Sequence, residues 1–379
     1  MKILEVTNSI ESAGAGVGYV VKHLTEDLLR ANHDASSMSF TQPDRAPACP
    51  APPHWIFPQN APRQLGHSRQ LHTALLQSSA DIIHQHGLWS MLSHSMNRLR
   101  ARRSTPTVVS AHGMLEPAAR RISPWKKRFF KIFIEQHNLR NATCLHALTP
   151  SEATHYRDLG LSQPIAIIPN AVHIVKASPP PHDLPFPIPD GRILLYLSRL
   201  HPKKGLENLL QAWAPLAPAF PDWSLLIVGP DHIGYRKHLE TRIIDSNIPS
   251  VSMHEPVYGS QKHDLLELAD AFVLPSLSEG FPVATLEAAA HRCPVLQTTT
   301  CYFPELTSAG GAIEVSPTPK SLAEGLTVML GLPEKERLAM GDKALEYVRT
   351  HHSPEGVTRR YIELYKHLLG TEAQPDFLT

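Results

Sequence analysis

Ser278-Glu279-Gly280-Phe281-Pro282-Val283-Ala284-Thr285-Leu286-Glu287-Ala288 follows the apolar run Ala271-Phe272-Val273-Leu274. A short apolar run before a turn reads as a buried parallel strand. Gly280 permits a sharp turn and Pro282 suits the first position of a helix, so the stretch reads strand, turn, helix. Glu279 then projects from the turn, and Glu287 lies about a turn and a half into the helix. Free N–H groups at a helix start form a natural anion site, with one carboxylate on each side of a bound phosphate. A nucleotide-sugar has that layout: sugar hydroxyls, diphosphate, ribose hydroxyls. The spacing by itself is equally satisfied by an ordinary helix with two solvent-facing acids.

The same alternation of short apolar runs and helical stretches extends in both directions. Strands are expected at 2–7, 81–84, 107–110, 144–148 and 165–168, then at 193–198, 224–229, 251–254, 271–274 and 294–297. That rhythm predicts βαβ units and parallel sheets, an α/β fold. At 379 residues the chain exceeds the size at which one core keeps growing, so two domains are expected. Residues 177–190, rich in proline from Pro179 to Pro189, cannot build a central strand or helix and read as a semi-rigid linker. The expected domains are 1–176 and 191–353. A second proline-rich stretch, 43–62, reads as a surface loop. The tail has helical spacing at Val357, Tyr361, Leu364 and Leu368, and a C-terminal segment 354–379 is expected to pack back on the first domain.

Composition excludes several classes. A net charge of +1 gives no general attraction to nucleic acid. The four cysteines form no CxxC pair and no zinc spacing, which suits a reducing cytosol. No apolar run approaches the roughly 20 residues that span a bilayer, and the N-terminus lacks a cleavable-signal layout. His84-Gln85-His86 and His351-His352 invite a metal reading among 23 histidines, but no third and fourth ligand stands at a convincing spacing. They read as solvated or structural.

Ser198-Arg199-Leu200-His201-Pro202-Lys203-Lys204-Gly205 follows the strand at 193–198. Two cations at a strand-to-helix turn suit a diphosphate, an Arg as planar fork and a Lys as point charge. Near the N-terminus, Gly14-Ala15-Gly16-Val17-Gly18-Tyr19 opens a helix, but Tyr19 stands where a dinucleotide fingerprint needs its third Gly. Ser110-Ala111-His112-Gly113 closes the strand at 107–110 and puts His112 at a strand's C-terminal end.

Taken together, these motifs resemble the retaining glycosyltransferases of family 4, which have the GT-B fold of two Rossmann-like domains facing across a cleft. Within that family the resemblance is to bacterial enzymes of capsule, exopolysaccharide and lipopolysaccharide assembly. It implies that Glu279 and the backbone of Gly280, Phe281, Pro282 and Val283 hold the donor sugar and diphosphate. Glu287 holds the ribose. Arg199 and Lys204 stabilise the leaving diphosphate, work that a metal performs in the other major glycosyltransferase fold; the chain contains no Asp-x-Asp sequence, so neither metal nor cofactor is expected. Gly16 matches the second glycine of the family's Gly-Gly loop, with Ala15 replacing the first. His112 matches its N-domain histidine at the donor sugar.

The expected activity is metal-independent, retaining transfer of a hexose-type sugar from a UDP-sugar, or next a GDP-sugar, to a hydroxyl of a glycan or lipid-linked acceptor. A sugar-nucleotide epimerase, a phosphorylase and a non-catalytic nucleotide-sugar-binding protein are the alternatives. The basic stretch 120–133, with Phe129, Ile132 and Phe133 at helical spacing, reads as a core-facing stripe with a cationic outer face. Its rival reading is a peripheral contact with anionic lipid at the inner face of the plasma membrane. The location implied is cytoplasmic.

Overall fold

The computed structural model describes residues 1–10, 16–41, 52–60, 66–116, 134–174 and 184–379. The chain divides into two compact units, Met1–Ala171 with Pro354–Thr379, and Val172–Ser353.

The first unit holds strands β1 (Lys2–Thr7), β2 (Asp34–Phe40), β3 (His54–Phe57), β4 (Ile82–His86), β5 (Thr107–Ser110), β6 (Cys144–Ala147) and β7 (Ile165–Ile167). They form one parallel sheet in the order β3-β2-β1-β4-β5-β6-β7. The second unit holds β8 (Arg192–Leu197), β9 (Trp223–Val228), β10 (Val251–His254), β11 (Ala271–Leu274), β12 (Val295–Thr298) and β13 (Ala312–Val315), parallel in the order β10-β9-β8-β11-β12-β13. Both are Rossmann-like sheets whose strand order reverses beside the first strand, between β1 and β4 and between β8 and β11. Ligands of such sheets bind outside the carboxyl ends of the strands at that reversal.

Burial on both faces explains why the central strands were legible. All four residues of β11 are fully buried, as are Leu194, Leu195 and Tyr196 of β8. Each large apolar side chain so buried contributes about 1.5–3 kcal/mol. The helix Pro354–Leu368 belongs to the first unit, where Val357, Tyr361, Leu364 and Tyr365 join a core with Ile3, Ile82 and Val108. No helix among the described residues is long and apolar enough to cross a membrane.

Several expectations need correction. Strands β2, β3 and β13 were not foreseen, and β3 falls inside the stretch read as a surface loop, where it pairs with β2 as the edge of the sheet. Leu184, Phe186 and Ile188 of the proline-rich segment pack against the second core. Pro282 caps the helix Val283–Ala290 from one position before it, with its carbonyl accepting from the N–H groups of Thr285 and Leu286. The turn before it does not use a positive φ at Gly280. The basic stretch 120–133 lies outside the described residues.

Candidate active site

In the second unit the loops after β8 and β11, neighbours at the reversal, are joined directly. Leu277 N–H donates to Lys203 O at 2.7 Å. Gly205, at φ 69°, ends the 3₁₀ turn Pro202–Lys204 in the left-handed region, and a Cβ there would stand 1.9 Å from Pro275 O. Only glycine satisfies both demands. This close approach brings Lys204 Nζ to 2.6 Å from Glu279 Oε1, both side chains nearly buried. Ser276 Oγ, fully buried, donates to the same carboxylate oxygen, and Glu279 N–H donates to Thr300 O at 3.1 Å. The Tyr196 hydroxyl donates to Arg199 O at 2.8 Å and pins the backbone from which the exposed Arg199 side chain extends. Burial, with Glu279 adding to it, pushes the Cys301 thiol up to about 12, so that sulfur is no nucleophile at neutral pH.

Glu287 lies on the helix Val283–Ala290 and pairs with Lys262 Nζ through Oε1, both partly buried. His291 Nδ1 contacts Glu287 O at 2.7 Å, and its ring stacks on His263. Phe281 packs on Phe303 and His352 and so anchors the loop that carries Gly280 and Pro282.

In the first unit Gly16 caps the helix Val17–Arg30 at φ 100°, with no side-chain cap. Gly18 permits a second close approach, since a Cβ there would lie 2.3 Å from Ser9 O. His112 follows β5 at φ 51°, and Gly113 follows it at φ 73°. Their backbone is clamped from beneath: Ala111 N–H donates to Tyr156 Oη at 3.0 Å and Gly113 N–H to Glu152 Oε1 at 2.6 Å. His112 Nε2 lies 2.9 Å from His86 Nδ1. Desolvation, with His86 and His146 adding to it, holds the His112 ring well below the usual histidine pKa. It is therefore neutral at physiological pH.

A family model described as "Glycosyl transferase 4-like domain" matches residues 6–171, and one described as "Glycosyl transferases group 1" matches residues 185–347. This chain belongs to the family 4 glycosyltransferases. The D-inositol 3-phosphate glycosyltransferase of Corynebacterium urealyticum is 27% identical to it over 47% of this chain and 43% of that one. The lipopolysaccharide 1,2-N-acetylglucosaminetransferase of Salmonella typhimurium is 27% identical over 47% of this chain and 49% of that one. The matched segments thus span half or less of both relatives. HepE of Anabaena, solved in complex with UDP and glucose, superposes with a TM-score of 0.74 at 18% identity, covering 97% of this chain and 100% of that one. That likeness identifies the GT-B fold.

In the second unit the fold brings Lys204 and Glu279 together and leaves Glu287 to a different partner. Arg199 shares the Lys204 loop without an ion pair among the described residues. Sequence reasoning missed Ser276, Lys262 and the carbonyl of Thr300. Thr300 and Lys262 reach the two glutamates from neighbouring elements, so spacing along the chain holds no signal for them, whereas Ser276 lies three residues before Glu279 in the same loop and was within reach of a local reading. It also missed Glu5. That residue brings a third potential metal-binding group to His84 and His86, their ligand atoms lying within 4.8 Å of one another and all three residues buried. The β1–β4 register supplies that third group, since it sets Glu5 opposite His84.

Proposed function

We propose that the second unit binds a nucleotide-diphosphate sugar and that the enzyme transfers its hexose-type sugar, with retention and without a metal, to a hydroxyl of a glycan or lipid-linked acceptor. The observation that carries this reading is the joined pair of loops at the β8–β11 reversal, where Lys204 and Glu279 meet at the mouth of a sheet of nucleotide-binding topology. Glu287, one helix turn beyond the cap at Pro282, is placed to accept from ribose hydroxyls. Within the Gly280–Val283 segment the N–H groups of Gly280 and Phe281 serve the diphosphate, since Pro282 has none and Val283 N–H donates to Phe281 O. UDP is favoured as the carrier because a structural neighbour holds UDP together with a sugar. A role in bacterial polysaccharide assembly draws support from the lipopolysaccharide transferase of Salmonella.

In this reading the acceptor hydroxyl attacks the anomeric carbon on the face from which the diphosphate leaves. The departing phosphate oxygen takes the hydroxyl proton, so one glycosidic bond forms as one breaks and no enzyme nucleophile is used. Arg199, Lys204 and the helix N-terminus stabilise the charge that develops on the diphosphate. His112 positions the sugar.

A thermal-shift panel with UDP, GDP, CDP and ADP, with and without Mg²⁺, tests the donor part. A nucleotide at a hundred times its dissociation constant stabilises by about 2.7 kcal/mol. One nucleotide should stand out without Mg²⁺ and lose its effect in Glu287→Ala. A shift that appears only with Mg²⁺ overturns metal independence, and a product of inverted anomeric configuration overturns retention.

A further inference from the structure

The face of the first sheet that the helix Pro354–Leu368 covers is polar at its centre. Glu5 of β1, His84 and His86 of β4, Ser110 of β5 and His146 of β6 are all fully buried there, together with Tyr361 and Tyr365 of the helix. Alternate residues of a strand share a face, which is why His84 and His86 both point at that helix. So many buried polar groups are tolerated only if each is hydrogen-bonded.

They form one continuous chain of bonds. His146 Nε2 lies 2.8 Å from Ile168 O, and Ser110 Oγ bridges His146 Nδ1 and His84 Nε2 at 2.6 Å each. The Tyr365 hydroxyl lies 2.7 Å from His84 Nδ1 and 3.0 Å from Glu5 Oε1. Glu5 Oε2 lies 2.6 Å from His86 Nε2, and His86 Nδ1 lies 2.9 Å from His112 Nε2. A backbone carbonyl only accepts, so Ile168 O gives the chain a direction. His146 donates from Nε2, hence accepts at Nδ1 from Ser110, which accepts in turn from His84 Nε2. At the far end Glu5 Oε2 accepts from His86 Nε2. With its proton there, His86 offers a lone pair at Nδ1, and only an Nε2–H of His112 can meet it.

We propose that Glu5 and His86 are positioning residues for His112, holding it in the tautomer with its proton on Nε2 and its Nδ1 free to accept a hydrogen bond. Among the described residues Nδ1 of His112 has no partner, and its ring is only half-buried. The acceptor edge therefore suits a sugar hydroxyl, a step that rests on the donor reading above. A divalent cation is the competing use of Glu5, His84 and His86. The 2.6 Å between Glu5 Oε2 and His86 Nε2 is a hydrogen-bond distance. Two ligands at about 2 Å from a shared tetrahedral ion would stand roughly 3.3 Å apart.

The test is ¹⁵N NMR of the histidine side chains in the full chain, alongside transfer kinetics, for wild type and the double variant Glu5→Leu/His86→Phe. Removing both partners leaves no buried charge behind, and Tyr365 can still donate to His84; the single variant His86→Leu serves if the double one misfolds. The wild-type His112 signal should show protonated Nε2 and bare Nδ1. The variant should lose that pattern and lose kcat about tenfold or more, with donor KM within about threefold, as expected of a misplaced but intact group. An unchanged His112 tautomer in the variant overturns the proposal, as does a stoichiometric metal in the purified wild type that the variant lacks. If wild type turns over no donor, the functional reading fails, while the tautomer result still decides this one.

Discussion

Lys204 Nζ stands 2.6 Å from Glu279 Oε1, so a cation assigned to the leaving diphosphate and an acid assigned to the donor sugar share one ion pair. The pair is nearly buried, with Ser276 Oγ donating to the same oxygen, which puts it beyond an ordinary surface bridge.

This sharing predicts opposite effects on binding and equal effects on turnover. Glu279→Gln frees Lys204 for the diphosphate, so UDP should bind equally well or severalfold tighter, a gain of about 1 kcal/mol or less. Lys204→Met removes a charged donor, and UDP should bind about tenfold more weakly. Transfer should fall at least a hundredfold in both. Calorimetric titration with UDP checks the signs; equal weakening in both variants would reduce the pair to a structural clamp.

Glu287 has one carboxylate oxygen on Lys262 and, among the described residues, no bond to the other, which the proposed reading gives to the ribose diol. Glu287→Ala should weaken UDP binding about tenfold. The penalty should disappear when the ligand is 2′,3′-dideoxy-UDP, because the hydroxyls that Glu287 would accept from are gone. A penalty that persists with the dideoxy ligand would mean that Glu287 acts through Lys262 and the loop, without touching ribose.

How far the sequence could be read follows from which forces leave a trace along it. Strands β8 and β11 are buried on both faces and read as apolar runs, and β1 does so apart from Glu5. β2, Asp34-Ala35-Ser36-Ser37-Met38-Ser39-Phe40, is buried through serines that the ladder holds in place, and its composition resembles a loop. The Glu279–Glu287 stretch was legible because one turn and one helix place both acids. Lys262 was not, since it acts from another helix, and Ser276, three residues before Glu279, was overlooked because a serine in a loop carries no distinguishing pattern. The Glu5–His84–His86 cluster shows the same limit: alternation reveals the two histidines on one face, but only strand order brings β1 beside β4.

Gly205 is the residue on which the joined loops depend. It has a left-handed backbone, and an added Cβ would run into Pro275 O, a backbone atom that cannot swing aside. Gly205→Ala should destabilise the second unit by about 2 kcal/mol or more. It should also lower UDP affinity by moving Lys204. Urea unfolding with and without UDP separates the two effects; a variant of wild-type stability would mean that the two loops part easily, against the packing described.

Glu152 and His146 of the first unit should give stability opposite pH dependences. Glu152 is buried and accepts from Gly113 and Leu148 N–H groups, and burial pushes its carboxyl from 4.5 up to about 7. Burial takes His146 from 6.5 down to about 3. An acid raised in the folded state holds its proton more tightly there than in the unfolded chain. Its contribution is therefore full below 4.5 and is lost as pH rises through 7. A base lowered in the folded state does the reverse: stability is intact above 6.5 and falls as pH drops toward 3. Each slope is at most about 1.4 kcal/mol per pH unit, so the two oppose each other between 4.5 and 6.5 and only Glu152 acts above that. The stability of wild type relative to Glu152→Gln should fall by about 3 kcal/mol between roughly pH 4.5 and 7.5. Relative to His146→Gln it should rise by about 3 kcal/mol between roughly pH 4.5 and 6.5. Urea titrations of the three proteins across that range give both differences. A flat profile against Glu152→Gln would show that this carboxyl titrates alike in both states, and that the clamp beneath His112 stays ionised throughout.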